Sequence, residues 1–161
     1  MTIKVGDKLP HATFRLVTSD GARPVTTQEF FSGKTIVLFG LPGAFTPTCH
    51  KTHLPGFLDR AAEFKAKGVA EIAMTSVNDH HVLAAWSKAT GADGHIVFLA
   101  DGAAEFAKAA GLDYDASPSG MGVRSKRYSM LVEDGVVKIL NIEEAPGKAD
   151  LSGAAHLLAQ M

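Results

Sequence analysis

The chain has 161 residues, 46% hydrophobic and 20% charged, which excludes a disordered, fibrous or membrane-embedded chain and predicts one folded domain over 1–161. Sixteen Lys plus Arg against seventeen Asp plus Glu leave a formal charge of -1, with neither sign gathered into a run, which argues against nucleic acid and against a membrane surface as partners. Cys49 is the single cysteine, and the opening Met1-Thr-Ile-Lys-Val-Gly-Asp7 carries neither a secretory nor a transit pattern, so a reducing compartment, the cytoplasm, is expected.

In chain order, Thr35 to Phe39 is an apolar run of strand character, and Gly40-Leu-Pro-Gly-Ala-Phe-Thr-Pro-Thr-Cys-His50 follows it where a helix begins. Thr46 before Pro47 reads as N-cap and first helical position, which sets Cys49 in the first turn. Leu54, Phe57, Leu58, Ala61 and Phe64 or Lys65 recur at helical spacing. Pro55 has no N–H for the ladder and predicts a kink just beyond Lys51 to Leu54. A strand over Glu71 to Val77, a helix over Asp79 to Ala89, a strand over His95 to Leu99 and a helix over Ala103 to Ala110 come next. His80 and His81 read as exposed residues of a helix start, Trp86 as core, and Asp101-Gly102 and Gly120-Met-Gly122 as turns. Tyr128 to Val132 and Val136 to Leu140 flank Glu133-Asp134-Gly135, a hairpin signal because both turn residues take positive φ. Asp150 reads as the cap of a last helix carrying Leu151, Ala155 and Leu158. Strands separated by helices and closed by a hairpin predict an α/β fold, a mixed central sheet flanked by helices.

The chemically informative residue is Cys49. At the carboxyl end of a buried strand, where ligands of open α/β sheets collect, the unpaired N–H groups and positive dipole end of a helix start favour a thiolate, the nucleophilic form. Cys49-His50-x-x-His53 has metal-ligand residue types, but i, i+1 and i+4 do not converge on a helix and no fourth ligand is indicated. A cysteine hydrolase would want a paired base and a matching signature, and a disulfide reductase would want Cys-x-x-Cys, whereas His50, Lys51 and Thr52 follow Cys49.

Pro42-Gly-Ala-Phe-Thr-Pro-Thr-Cys49, Thr52-His-Leu-Pro-Gly-Phe57, Ser76-Val-Asn-Asp79, Phe98-Leu-Ala-Asp101 and Arg124-Ser-Lys-Arg-Tyr-Ser-Met130 together resemble the peroxiredoxin family, in particular its type II, or peroxiredoxin-five-like, subfamily. The likeness covers nearly the whole chain. It implies a thioredoxin-like fold and a peroxidase in which Cys49 attacks a hydroperoxide, shielded by Pro42, with Thr46, Cys49, Arg127 and Gly43 binding the peroxide. Arg127 matches the family's active-site arginine, and Arg124 stands as the other candidate.

With one cysteine, the sulfenic acid left on Cys49 needs an outside thiol. Met74 occupies the position where plant-type relatives carry a second cysteine. The resemblance points to glutathione with glutaredoxin as reductant, ahead of thioredoxin, with no bound cofactor or metal, and to a homodimer in which Phe45, beside Cys49, is the candidate interface residue. The Pro55-Gly56 segment reads either as a structural bend or as a stretch that unwinds to admit the reductant. The competing readings are a peroxide-sensing relay that passes oxidation from Cys49 to a partner protein, and an inert domain with an ordinary thiol.

Overall fold

Ile36, Val37, Leu38 and Phe39 are all fully buried, because the strand they form lies at the centre of the sheet with helices over both faces. The computed structural model describes residues 1–161. Its elements are β1 (Thr13–Thr18), β2 (Gly21–Thr26), α1 (Thr27–Phe31), β3 (Thr35–Gly40), a π-turn (Cys49–His53) that runs into α2 (Leu54–Asp59), α3 (Ala61–Ala66), β4 (Glu71–Ser76), α4 (His80–Thr90), β5 (Val97–Ala100), α5 (Glu105–Ala109), β6 (Asp113–Asp115), β7 (Val123–Ser125), β8 (Tyr128–Glu133), β9 (Val136–Ile142) and α6 (Ala154–Gln160). Seven strands pair in the order β2-β1-β5-β4-β3-β8-β9, with β3, β4 and β5 parallel and the outer strands antiparallel. β6 and β7 form a separate two-stranded ribbon. This is the mixed α/β sheet the sequence predicts, closed by its C-terminal hairpin, whose turn residues Asp134 and Gly135 have φ of 48° and 78°.

The two faces bury separate cores. Val37, Phe39 and Met74 point to the face covered by α2, α3, α4 and α6, together with Cys49 and Trp86. Ile36, Leu38, Tyr128 and Met130 point to the face covered by α1 and α5. One register pair fixes the position of the site. Gly40, the last residue of β3, lies opposite Tyr128, the first of β8, so the chain leaving β3 and the chain entering β8 meet at one edge. The Tyr128 ring occupies the space where a Cβ on residue 40 would stand, and glycine is what permits the packing.

Several boundaries depart from the sequence reading. No element is expected before Thr35, yet β1 and β2 form a hairpin and α1 carries a capping box, in which Glu29 N–H donates to Thr26 Oγ1 at 3.2 Å and Thr26 N–H to Glu29 Oε1 at 3.1 Å. The single kinked helix expected over 54–65 is two short helices broken at Arg60, whose φ is -106°. Ahead of Pro55 the turn is widened, with the Leu54 N–H reaching back five residues to the Cys49 carbonyl, which is how the ladder accommodates a residue that cannot donate. β5 starts at Val97, not His95, because the N–H groups of His95 and Ile96 close a turn onto the Ala92 carbonyl. Asp150 does not cap the last helix. Leu151 and Ser152 donate their N–H groups to the Glu143 carboxylate, so the chain is tethered there and α6 starts after Gly153.

Phe57 is stacked between Phe39, at 4.1 Å between ring centroids, and Phe64, at 5.6 Å. Phe57→Ala should therefore lower unfolding free energy by about 3–5 kcal/mol, read from the shift of the denaturant midpoint at constant slope.

Candidate active site

The segment between β3 and the helix is tied down from two sides. Asn78, just past β4, accepts through Oδ1 from the Ala44 N–H at 3.0 Å and from Ser76 Oγ at 2.9 Å. Arg124, in β7, donates from Nη1 to the Pro42 carbonyl at 3.2 Å and from Nε to the Met121 carbonyl at 3.0 Å. A Cβ on Gly43 would stand 2.7 Å from that Arg124 nitrogen, so a side chain at 43 would displace the tie. Phe45 sits at φ 62°, a strained backbone for an aromatic residue, and its half-exposed ring stacks on His50 at 5.7 Å. Trp86, buried as expected, donates from Nε1 to His50 Nδ1 at 2.9 Å.

Thr46 stands at the helix start, with its carbonyl accepting from the His50 N–H at 2.8 Å, but its hydroxyl is not the cap that the sequence predicts. Oγ1 donates to the Gly43 carbonyl at 2.7 Å. The hydroxyl hydrogen is thereby committed, and the oxygen lone pairs remain to accept from an incoming O–H. Thr48 donates its hydroxyl to the Gly147 carbonyl at 3.2 Å, fastening the same turn to the segment between β9 and α6.

Cys49 is fully buried in the first helical turn, and Arg127, 2% exposed, meets it there. Arg127 Nη2 donates to Cys49 Sγ at 3.0 Å. Its Nε and Nη2 both donate to the Pro146 carbonyl, at 3.0 and 2.9 Å, and Nη1 donates to His53 Nδ1 at 3.0 Å. Of the two candidate arginines, Arg127 touches the sulfur and Arg124 ties the Pro42 loop. The protein's two ion pairs are Lys4–Asp7 and Arg60–Glu63, so the Arg127 guanidinium is paired with no carboxylate. An anionic sulfur is the one group in hydrogen-bond contact that can balance this buried charge.

The family model described as Redoxin matches residues 4–158. Peroxiredoxin-2E-2, chloroplastic, of rice (Oryza sativa subsp. japonica) is 49% identical over 98% of this chain and 72% of its own length, and rice Peroxiredoxin-2C is 43% identical over 97% of this chain and 96% of its own. The chain belongs to the peroxiredoxin family. Among solved structures, reduced Prx3 of Vibrio vulnificus in complex with hydrogen peroxide superposes with TM-score 0.93 at 46% identity, each chain covered to 99%. Peroxiredoxin 5 of Alvinella pompejana superposes with TM-score 0.84 at 33% identity, each chain covered to 98%. The fold is thioredoxin-like, and the family's activity is that of a thiol-dependent peroxidase.

In this peroxiredoxin two residues join the site that the motif does not point to. His53 enters the sequence analysis in a metal pattern and within Thr52-His-Leu-Pro-Gly-Phe57, with no role assigned, yet it is 1% exposed and held at both ring nitrogens, by Arg127 on Nδ1 and by the Ser152 carbonyl, 3.0 Å from Nε2. Its spacing of four from Cys49 was the available signal, because it puts both side chains on one helix face. Burial first, and then the Arg127 charge, push its pKa from 6.5 down to about 3, against the opposing pull of the Ser152 carbonyl. Tyr114, in β6 opposite Arg124, lines one cleft with Arg127, and its hydroxyl is held above its ordinary pKa first by burial and then by Cys49, with Arg127 and Arg124 opposing.

The neutral, buried His53 makes stability depend on pH. Between 6.5 and about 3 the unfolded chain takes up a proton at His53 that the native protein does not, so this contribution is complete above 6.5 and is lost as pH falls through the window. Relative to wild type, His53→Gln should flatten the fall of unfolding free energy within that window by up to about 1.4 kcal/mol per pH unit, measured by denaturant titration at stepped pH.

Proposed function

We propose that Cys49 is the peroxidatic nucleophile of this peroxidase, and that Thr46, Arg127, Pro42 and Gly43 complete its site. The observation that carries the reading is the 3.0 Å hydrogen bond from Arg127 Nη2 to Cys49 Sγ in a place closed to bulk water. A thiolate there is desolvated, charge-stabilised and set at a helix start. It attacks the hydroperoxide oxygen that carries hydrogen. The S–O bond forms as the O–O bond breaks, sulfur is oxidised by two electrons, and the leaving oxygen takes up a proton to depart as water or an alcohol.

Thr46 Oγ1, with its own hydrogen on Gly43, accepts the hydroperoxide O–H, and the partnerless N–H of Gly43 and the Arg127 guanidinium supply charge-stabilising donors. Pro42 is buried at the lip of the loop, where an apolar ring keeps water from the sulfur. Cys49 then carries a sulfenic acid. Since it is the one cysteine, and Met74 lies wholly buried in β4, resolution by a second thiol of the same chain has no candidate. Glutathione attacks the sulfenic sulfur, a mixed disulfide forms and water leaves; a glutaredoxin thiol then takes the glutathionyl group and frees Cys49. The protein works as a homodimer in the cytoplasm. A free thiol suits that compartment, and the half-exposed Phe45 ring is the candidate contact.

The test is steady-state peroxide consumption with glutathione and glutaredoxin, beside a thioredoxin arm. Cys49→Ser should abolish turnover, and Arg127→Ala should slow it by about 100-fold or more, whereas Arg124→Ala, which loosens only the loop, should cost less. One equivalent of oxidation without cycling would overturn the reductant and keep the nucleophile. Peroxide that leaves Cys49 as a thiol would overturn the nucleophile itself.

A further inference from the structure

A guanidinium has five N–H groups, and four of those on Arg127 are assigned: two to the Pro146 carbonyl, one to Cys49 and one to His53. Sulfur and imidazole therefore take two of the three donors that do not face Pro146. The acceptor that His53 presents must be a bare Nδ1, because Arg127 can only donate, and its Nε2 must carry the hydrogen, because the Ser152 carbonyl can only accept. The ring is also packed against the rings of Phe39, at 5.2 Å between centroids, and Phe57, at 5.5 Å.

Ser152 is fixed in turn by Glu143, whose Oε2 accepts from the Ser152 N–H at 2.8 Å and from its hydroxyl at 2.6 Å. Glu143 donates its own N–H to the Arg127 carbonyl at 2.9 Å. The hydrogen bonds thus close a ring from the backbone of Arg127 through Glu143, Ser152 and His53 to the tip of the Arg127 side chain. A carboxylate in the place of His53 would also accept from the guanidinium, but it would cancel the charge that faces the sulfur. An imidazole with a bare nitrogen holds the fork and leaves its charge intact.

We propose that His53 is a positioning residue for the peroxidase reaction, a neutral acceptor keyed by Ser152 and Glu143 that aims Arg127 at the Cys49 sulfur without neutralising it. The inference rests on the proposed roles of Cys49 and Arg127. Gln at position 53 can place an acceptor and a donor much as imidazole does, and Leu offers neither. In His53→Leu, the pH profile of Cys49 alkylation by iodoacetamide should move to higher pH, and the rate constant for oxidation by hydrogen peroxide should fall by about 10-fold or more, as expected for loss of a hydrogen bond to a charged group. His53→Gln should recover most of both.

A folded Leu variant with the wild-type profile and rate would overturn the proposal, as would a Gln variant no better than Leu. Nitrogen NMR of imidazole-labelled wild-type protein asks the same question without a variant. A neutral ring protonated on Nε2 supports the inference, and a ring protonated on Nδ1 or on both nitrogens overturns it even if neither variant folds. Should the wild-type protein fail to consume peroxide, the assignment of Cys49 falls, while the alkylation profile and the tautomer still decide whether His53 aims Arg127.

Discussion

The structure turns on a buried cation that is ion-paired to no carboxylate. Taking a guanidinium out of water costs several kcal/mol even after relaxation, and Arg127 is compensated only by a carbonyl, an imidazole and a sulfur. Three parts of the chain are thereby committed: β8 must deliver residue 127, the helix start must deliver 49 and 53, and the segment after β9 must deliver 146 and 152. The hydrogen bond to sulfur is one of several that the arginine needs in order to be buried at all.

Sheet topology makes this arrangement economical. β3 and β8 run antiparallel as neighbours, so the end of one and the start of the other coincide, and the Gly40–Tyr128 register puts the cysteine loop and the arginine side by side without a long connection. The parallel neighbour β4 ends at the same edge and supplies Ser76 and Asn78, which hold the loop from below. Beneath the site, the hydroxyls of Thr75, Tyr128 and Ser129 are buried without partners. Undersatisfied groups of that kind cost stability and cluster where function constrains the packing.

What the sequence disclosed follows from where its signals are local. The central strands are continuous apolar runs, the Asp134-Gly135 turn demands positive φ, and Asp79 caps α4 through a 2.9 Å bond to the Val82 N–H, each readable within a few residues. The first hairpin was hidden because β2, GARPVT, is an edge strand carrying Arg23 and Pro24. Cys49, Thr46, Pro42 and Gly43 are contiguous and could be read as a motif. The segment from Glu143 to Ser152 has no periodicity, and its contribution is the Glu143 carboxylate and the carbonyls of Pro146, Gly147 and Ser152, which accept at separations of 19 from Arg127 and 99 from Thr48 and His53. No composition marks a carbonyl that will matter.

The Tyr128 ring over Gly40 ties two distant positions into one unit of change. A methyl group at 40 would have to occupy the ring, and a smaller residue at 128 would leave a void over the glycine, next to Arg127 in the chain. A side chain at 40, or loss of the ring at 128, would each shift the strand edge on which the cysteine loop and the arginine meet. In a set of homologous chains a glycine at 40 and an aromatic ring at 128 would occur together, and a library that randomised residue 40 alone would sample almost only losses.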